Sequence, residues 1–143
     1  MSDCRYFNEE METLDKSSLQ RLQLKQLQAI VECAYTQNSF YRRLYDEAGV
    51  QPSDIRALED IQKLPFLEKK SVREAYPYGM ALKRPGDYVG ALELHATSGT
   101  TGKSVPVFAT KRDIECWSEL NARELWMTGF RPGDILLNCY GYG

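Results

Sequence analysis

A chain of 143 residues, 43% of them hydrophobic, is long enough for one domain with a core of its own. Its 18 basic against 20 acidic residues and a pI near 5.5 exclude a general electrostatic attraction to nucleic acid or to an anionic membrane. No apolar run approaches the roughly 20 residues that cross a bilayer, and Met1-Ser2-Asp3-Cys4-Arg5-Tyr6 lacks the apolar centre of a signal peptide, so a cytoplasmic protein without membrane contact is expected.

The first half reads as helical. Leu19, Leu22, Leu27, Ile30, Val31 and Ala34 recur at spacings near three and four among glutamines and charges, forming the apolar stripe of a long amphipathic helix. Phe40, Tyr41, Leu44, Tyr45 and Ala48 continue in a second helix, with Gly49 placed to end it and the aromatics assigned to the core. Pro52-Ser53-Asp54 opens a short turn or helix running through Leu58 and Ile61, which Leu64-Pro65-Phe66 breaks. A third helix spans about Lys69 to Tyr76 and stops before Pro77.

The pattern changes after Pro85-Gly86-Asp87. From Tyr88 to Ala96, Leu92 and Leu94 alternate with Glu93 and His95, as in a half-buried strand. A second strand is expected over Val105 to Ala109. Thr110, with Asp113 three residues on, resembles a capping box, opening a helix whose Ile114, Trp117, Leu120 and Met127 are expected to face a sheet. Arg131-Pro132-Gly133-Asp134 then turns the chain into Ile135-Leu136-Leu137, a short buried strand. The edge left open after Leu137 invites strand addition, so self-association into a homo-oligomer is expected there.

Between the first two strands lies Thr97-Ser98-Gly99-Thr100-Thr101-Gly102-Lys103-Ser104. Gly99 and Gly102 let the backbone turn and approach a ligand closely, so that successive amide N–H groups converge on an anion. Thr97, Ser98, Thr100 and Thr101 add short hydroxyl donors, and Lys103 adds a positive charge within reach of an oxyanion. Such a cradle suits a nucleoside triphosphate; the alternative is a flexible Ser/Thr/Gly turn without a ligand. The ending Gly102-Lys103-Ser104 fits a Walker loop, but Thr97 stands where its first glycine belongs, and Val105-Pro106-Val107-Phe108 looks like a strand where a helix should start.

Cys4, Cys33, Cys116 and Cys139 include no C-x-x-C pair, so neither a zinc site nor a redox motif is signalled, and reduced, mostly buried thiols are expected. His95, the single histidine, stands just before the loop and is assigned a structural or loop-positioning role. In Asn138-Cys139-Tyr140-Gly141-Tyr142-Gly143, glycine and tyrosine alternate; the segment either enters a pocket, with tyrosine as a flat wall, or frays.

Taken in order, Phe40-Tyr41-Arg42-Arg43, Ala48-Gly49-Val50, Leu64-Pro65-Phe66, Tyr76-Pro77-Tyr78-Gly79-Met80, His95 to Lys103, Trp117 and Tyr140-Gly141-Tyr142-Gly143 resemble the phenylacetate–CoA ligases, within the superfamily of adenylate-forming enzymes. The resemblance runs over nearly the whole chain, and one departure from it is Ser104, where the family usually has proline. It implies an α/β fold: a helical segment over 1–86, then strand, Gly-rich loop, strand, helix and strand over 87–143. These would form the beginning of a nucleotide-binding core and the incomplete amino-terminal part of one large domain. It implies that Thr97, Ser98, Gly99, Thr100, Thr101, Gly102 and Lys103 hold the ATP phosphates and that Tyr140 borders the pocket of an aromatic carboxylic acid, with no catalytic or metal-ligating residue among the 143. The implied reaction uses ATP, Mg²⁺ and coenzyme A, forming an acyl-adenylate and then a thioester; the magnesium carboxylate and catalytic lysine are expected further along a longer chain, so this stretch alone is expected to be inactive. The alternative is a non-catalytic module that binds a nucleotide or is completed by a partner chain.

Overall fold

The computed structural model describes residues 4–76, 78–82, 93–96, 104 and 106–139. Its longest element is α2 (Lys16–Gln37), preceded by the single turn α1 (Glu9–Glu12). Asp15 starts α2 by accepting from the amides of Ser17 and Ser18 at 2.9 and 3.0 Å, satisfying donors that a helix start leaves without partners. Hydrogen bonds from both serines, the Ser17 side chain first, hold the Asp15 carboxyl well below the usual carboxylate range.

Asn38 ends α2 and caps α3 (Ser39–Glu47), its side-chain oxygen accepting from the amides of Phe40 and Tyr41. At the far end Gly49 takes a positive φ of 68°. Its amide donates to Asp46, and the Val50 amide donates to Tyr45, the paired bonds of a Schellman motif. The expected helix end at Gly49 is therefore the observed one, and Val50 is buried behind it.

α2 and α3 pack on each other around Val31, Ala34, Tyr45 and Ile55, the central apolar cluster. Ile55 is only 2% exposed. It leaves a 3-10 turn at Pro52–Asp54, and a second 3-10 turn follows at Leu58–Lys63, so the short segment expected here is two tight turns. Asp60 anchors the second, accepting from the amides of Arg56 and Ala57 at 2.8 Å and pairing with Lys63 at 2.9 Å. The lysine first, and the two amides after it, lower the Asp60 carboxyl to about 2. Beyond the break, α4 covers Lys69–Glu74.

The second half is a two-stranded antiparallel hairpin, β1 (Glu93–Ala96) and β2 (Pro106–Ala109), followed by α5 (Lys111–Met127). The capping box is present: Thr110 Oγ1 accepts from the Asp113 amide at 3.2 Å, while Asp113 Oδ2 accepts from the Thr110 amide at 2.9 Å.

Four expectations need correction. The stretch Tyr88 to Leu92 lies outside the described residues, and β1 is exposed on both faces where a half-buried strand was expected; Leu94 is 64% exposed. Ile135, Leu136 and Leu137 form no strand and are exposed, because no neighbouring strand among the described residues offers them a hydrogen-bonding ladder. Leu120 and Met127 are exposed, and the only sheet beside the 17-residue helix among the described residues is a two-stranded ribbon. Of the four cysteine thiols only Cys33 is buried, in α2; Cys4, Cys116 and Cys139 are exposed.

One feature had no sequence signal. The amino-terminal segment lies across α5: the Cys4 carbonyl accepts from Trp126 Nε1 at 2.9 Å, the Phe7 ring meets Trp126 edge-on at 5.9 Å, and Asn8 Nδ2 donates to Glu119 at 2.7 Å. Arg123 grips the same Glu119 with two bonds of 2.8 and 2.6 Å, and these bonds, Arg123 first and Asn8 second, lower the Glu119 carboxyl. Among the described residues no helix is long and apolar enough to cross a membrane.

Candidate functional site

The hairpin register pairs Glu93 with Ala109, Leu94 with Phe108, His95 with Val107 and Ala96 with Pro106. The Ala96–Pro106 pair closes one end of the ladder, and residues 97–105 are the connection that leaves from it. Thr97, Ser98, Gly99, Thr100, Thr101, Gly102 and Lys103 lie outside the described residues, and so does Tyr140. The structure describes the frame that carries the connection.

Facing residues of an antiparallel pair share one side of the sheet, so Glu93, His95, Val107 and Ala109 form one face of the hairpin and Leu94, Ala96, Pro106 and Phe108 the other. Each face has an aromatic neighbour. On the first, the His95 ring meets Trp117 of α5 edge-on at 5.5 Å, and His95 Nε2 lies 3.0 Å from Glu93 Oε2. On the second, the Tyr78 ring packs on Phe108 with centroids 5.5 Å apart. Ala109, 1% exposed, anchors the foot of β2. The histidine is thus tied to its own strand and to α5.

Four residues of β2 separate the connection from α5, a distance of about 13 Å at the usual rise per strand residue. The positive end of the α5 dipole therefore stands at the opposite end of the hairpin from the Ala96–Pro106 pair. A Walker arrangement needs a helix N-terminus at the loop itself, so the strand after Ser104 separates this hairpin from a Walker loop. Among the described residues no group of three or more His, Cys, Asp or Glu side chains could hold a metal ion.

Sequence reasoning missed two groups that hold this frame. Tyr78, which it grouped only with a motif, touches β2 directly. Asn38, recognisable in the sequence as a helix cap before Phe40-Tyr41, also bonds backbone 41 and 43 residues further on, a contact no local pattern encodes.

No family model matches the chain. Among solved structures, 2-hydroxyisobutyryl-CoA ligase in complex with 2-HIB-AMP and CoA, in the thioesterification state, superposes with a TM-score of 0.81 and 32% identity over 94% of this chain and 29% of that one. An open conformation of that ligase, also with 2-HIB-AMP and CoA, gives 0.79 and 30% identity over 94% and 31%. The fold is that of the amino-terminal part of an adenylate-forming ligase.

In sequence, the chain is 44% identical over 137 residues to the phenylacetate-coenzyme A ligase of Thermus thermophilus, covering 96% of this chain and 30% of that protein. The Pseudomonas putida enzyme of the same name is 40% identical over 133 residues, 93% and 30% respectively. Over nearly its whole length the chain is similar to curated phenylacetate–CoA ligases, and it spans about 30% of the length of the relatives it matches.

Proposed function

We propose that this chain supplies the ATP-phosphate-holding hairpin of an aryl acid–CoA ligase working in the cytoplasm. The observation that carries the proposal is the antiparallel strand–connection–strand unit bracketing Thr97 to Lys103, in a chain 44% identical to a phenylacetate-coenzyme A ligase. In the reaction proposed, a carboxylate oxygen of an aromatic acid attacks the α-phosphorus of ATP. A new C–O–P linkage forms, the bond between that phosphorus and the bridging oxygen breaks, and pyrophosphate leaves. The thiol sulfur of coenzyme A then attacks the acyl carbon, and AMP departs with the acyl–oxygen electron pair. Support for an acyl-adenylate and a CoA step comes from the related 2-hydroxyisobutyryl-CoA ligase, captured with 2-HIB-AMP and CoA.

Within that scheme residues 87–143 begin the nucleotide-binding part. Amides at Gly99 and Gly102 and the hydroxyls of Thr97, Ser98, Thr100 and Thr101 donate to the phosphate oxygens, and the Lys103 ammonium offsets charge as pyrophosphate separates. Tyr140 packs against the ring of the acid. The part of this chain in the scheme is to bind and orient the nucleotide. The 143 residues, spanning about 30% of the relatives, do not turn over alone.

A chimera tests this. This chain replaces the corresponding stretch of the Thermus thermophilus phenylacetate-coenzyme A ligase, and thioester formation is followed with phenylacetate, MgATP and CoA. The chimera is expected to form the thioester and its Lys103→Ala variant to lose about 100-fold in kcat/KM. A soluble chimera indifferent to Lys103→Ala would refute the phosphate role. Thioester formation by the isolated 143 residues would refute the claim that they are inactive alone.

A further inference from the structure

Asn38 is the one buried polar or charged residue among those described, with 8% of its surface exposed, and its amide is fully used. Oδ1 accepts from the amides of Phe40 at 2.9 Å and Tyr41 at 3.2 Å, while Nδ2 donates to the carbonyls of Gly79 and Ala81, both at 3.0 Å. Capping α3 needs only an oxygen, which serine, threonine or aspartate supplies equally well. The two donors are what an asparagine adds. They reach across the fold to the segment following α4.

That segment is tightly set. The Gly79 amide donates to Ala75 at 2.7 Å, a Cβ at position 79 would fall 2.6 Å from the same carbonyl oxygen, and the Ala81 amide donates to Tyr78 at 2.9 Å. Tyr78 sits at its start, and its ring meets Phe108 of β2 with centroids 5.5 Å apart and planes at 38°. The Tyr78 side is 70% exposed, so enclosure does little to aim the ring, and its direction follows from where the backbone is held. Phe108 lies two residue pairs from the Ala96–Pro106 pair at which the connection leaves the hairpin.

We propose that Asn38 is a positioning residue for the β1–β2 hairpin, acting through the Gly79–Ala81 backbone and the Tyr78 ring on Phe108. Its functional meaning rests on the phosphate-holding role proposed above; its mechanical part is independent of any ligand. The tie makes the α2–α3 junction, which belongs to the helical core, the fixed point against which one face of the hairpin is set.

The test is a double-mutant cycle of Asn38→Ser and Tyr78→Ala in the 143-residue chain, read by backbone amide exchange and by MgATP titration. Serine keeps the cap, so the amides of Phe40 and Tyr41 should keep their protection. Exchange at His95, Val107 and Phe108 should quicken about tenfold in either single variant, and the double variant should be no faster than the quicker single one. Unchanged hairpin exchange in Asn38→Ser, or multiplying effects in the double variant, would overturn the proposal. So would hairpin exchange that rises only together with exchange at Phe40 and Tyr41, because the residue would then be a cap and no more. If the unmodified chain shows no MgATP response at Gly99 and Gly102, the phosphate role fails, while the exchange cycle still decides whether Asn38 positions the hairpin. If MgATP binds, Asn38→Ser is expected to weaken it several-fold, and an unchanged affinity alongside a loosened hairpin would overturn the link to the nucleotide.

Discussion

Ile55→Ala strikes the centre of the apolar cluster. Ile55 touches the packing of Val31, Ala34 and Tyr45, and its carbonyl accepts from Gln28 Nε2 at 2.9 Å, so the surrounding elements are held in place and collapse poorly around a gap. The substitution removes three buried carbons at about 0.8 kcal/mol each. The residual cavity brings the loss to about 3 kcal/mol. Domains of this size have a total stability on the order of 10 kcal/mol, so the effect is a large fraction of the whole. Urea unfolding followed by far-UV circular dichroism should show the midpoint falling by about 1.5 M, for a slope of about 2 kcal/mol per molar. Phe66→Ala is the control: it deletes a larger side chain, but one 98% exposed, and should change stability by less than about 0.5 kcal/mol. Equal shifts for the two variants, or a loss below about 1 kcal/mol for Ile55→Ala, would refute the placement of the core.

Thr110→Ala removes the hydroxyl that accepts from the Asp113 amide and should cost about 1 kcal/mol, read as a lower urea midpoint with extra amide exchange confined to the first turn of α5. Asp60, held near 2 by Lys63 and two backbone amides against an ordinary value near 3.8, contributes stability that is fully present above pH 3.8 and is lost as pH falls from there through 2. Its side-chain carbon resonance should titrate near 2, and a midpoint near 3.8 would contradict the bonding around it. Asn8→Ala should release the amino-terminal segment from Glu119, moving the Glu119 carboxyl upward and changing Trp126 fluorescence; an unchanged Trp126 signal would contradict the contact across α5.

What the sequence made legible was mostly local. The part of the α2 stripe from Leu27 to Ala34, the Gly49 helix end and the Thr110–Asp113 box each depend on residues within a turn or two of one another, and each appears where the spacing puts it, whereas Leu19 is exposed. Ile135-Leu136-Leu137 has an equally clear local pattern, but a strand needs a neighbour, which the pattern does not contain. The same reason hid the Cys4–Asn8 segment on α5 and the bonds from Asn38 to Gly79 and Ala81: their partners are between 41 and 122 residues away. Of the candidate site, the glycines, hydroxyls and lysine of Thr97 to Lys103 suit an anion cradle or a plain turn, and they lie outside the described residues. The strand after Ser104 was legible from Val105-Pro106-Val107-Phe108, and it is the feature that sets the hairpin apart from a Walker loop.

The phosphate role of residues 97–103 is tested most directly by titrating the ¹⁵N-labelled chain with MgATP and with pyrophosphate while following the amides of Gly99 and Gly102. Saturable shifts centred on residues 97–103, in the millimolar range for the 143 residues alone and weakened about tenfold by Lys103→Ala, are the predicted result. Shifts confined to other parts of the chain, or a response that Lys103→Ala leaves intact, would contradict it.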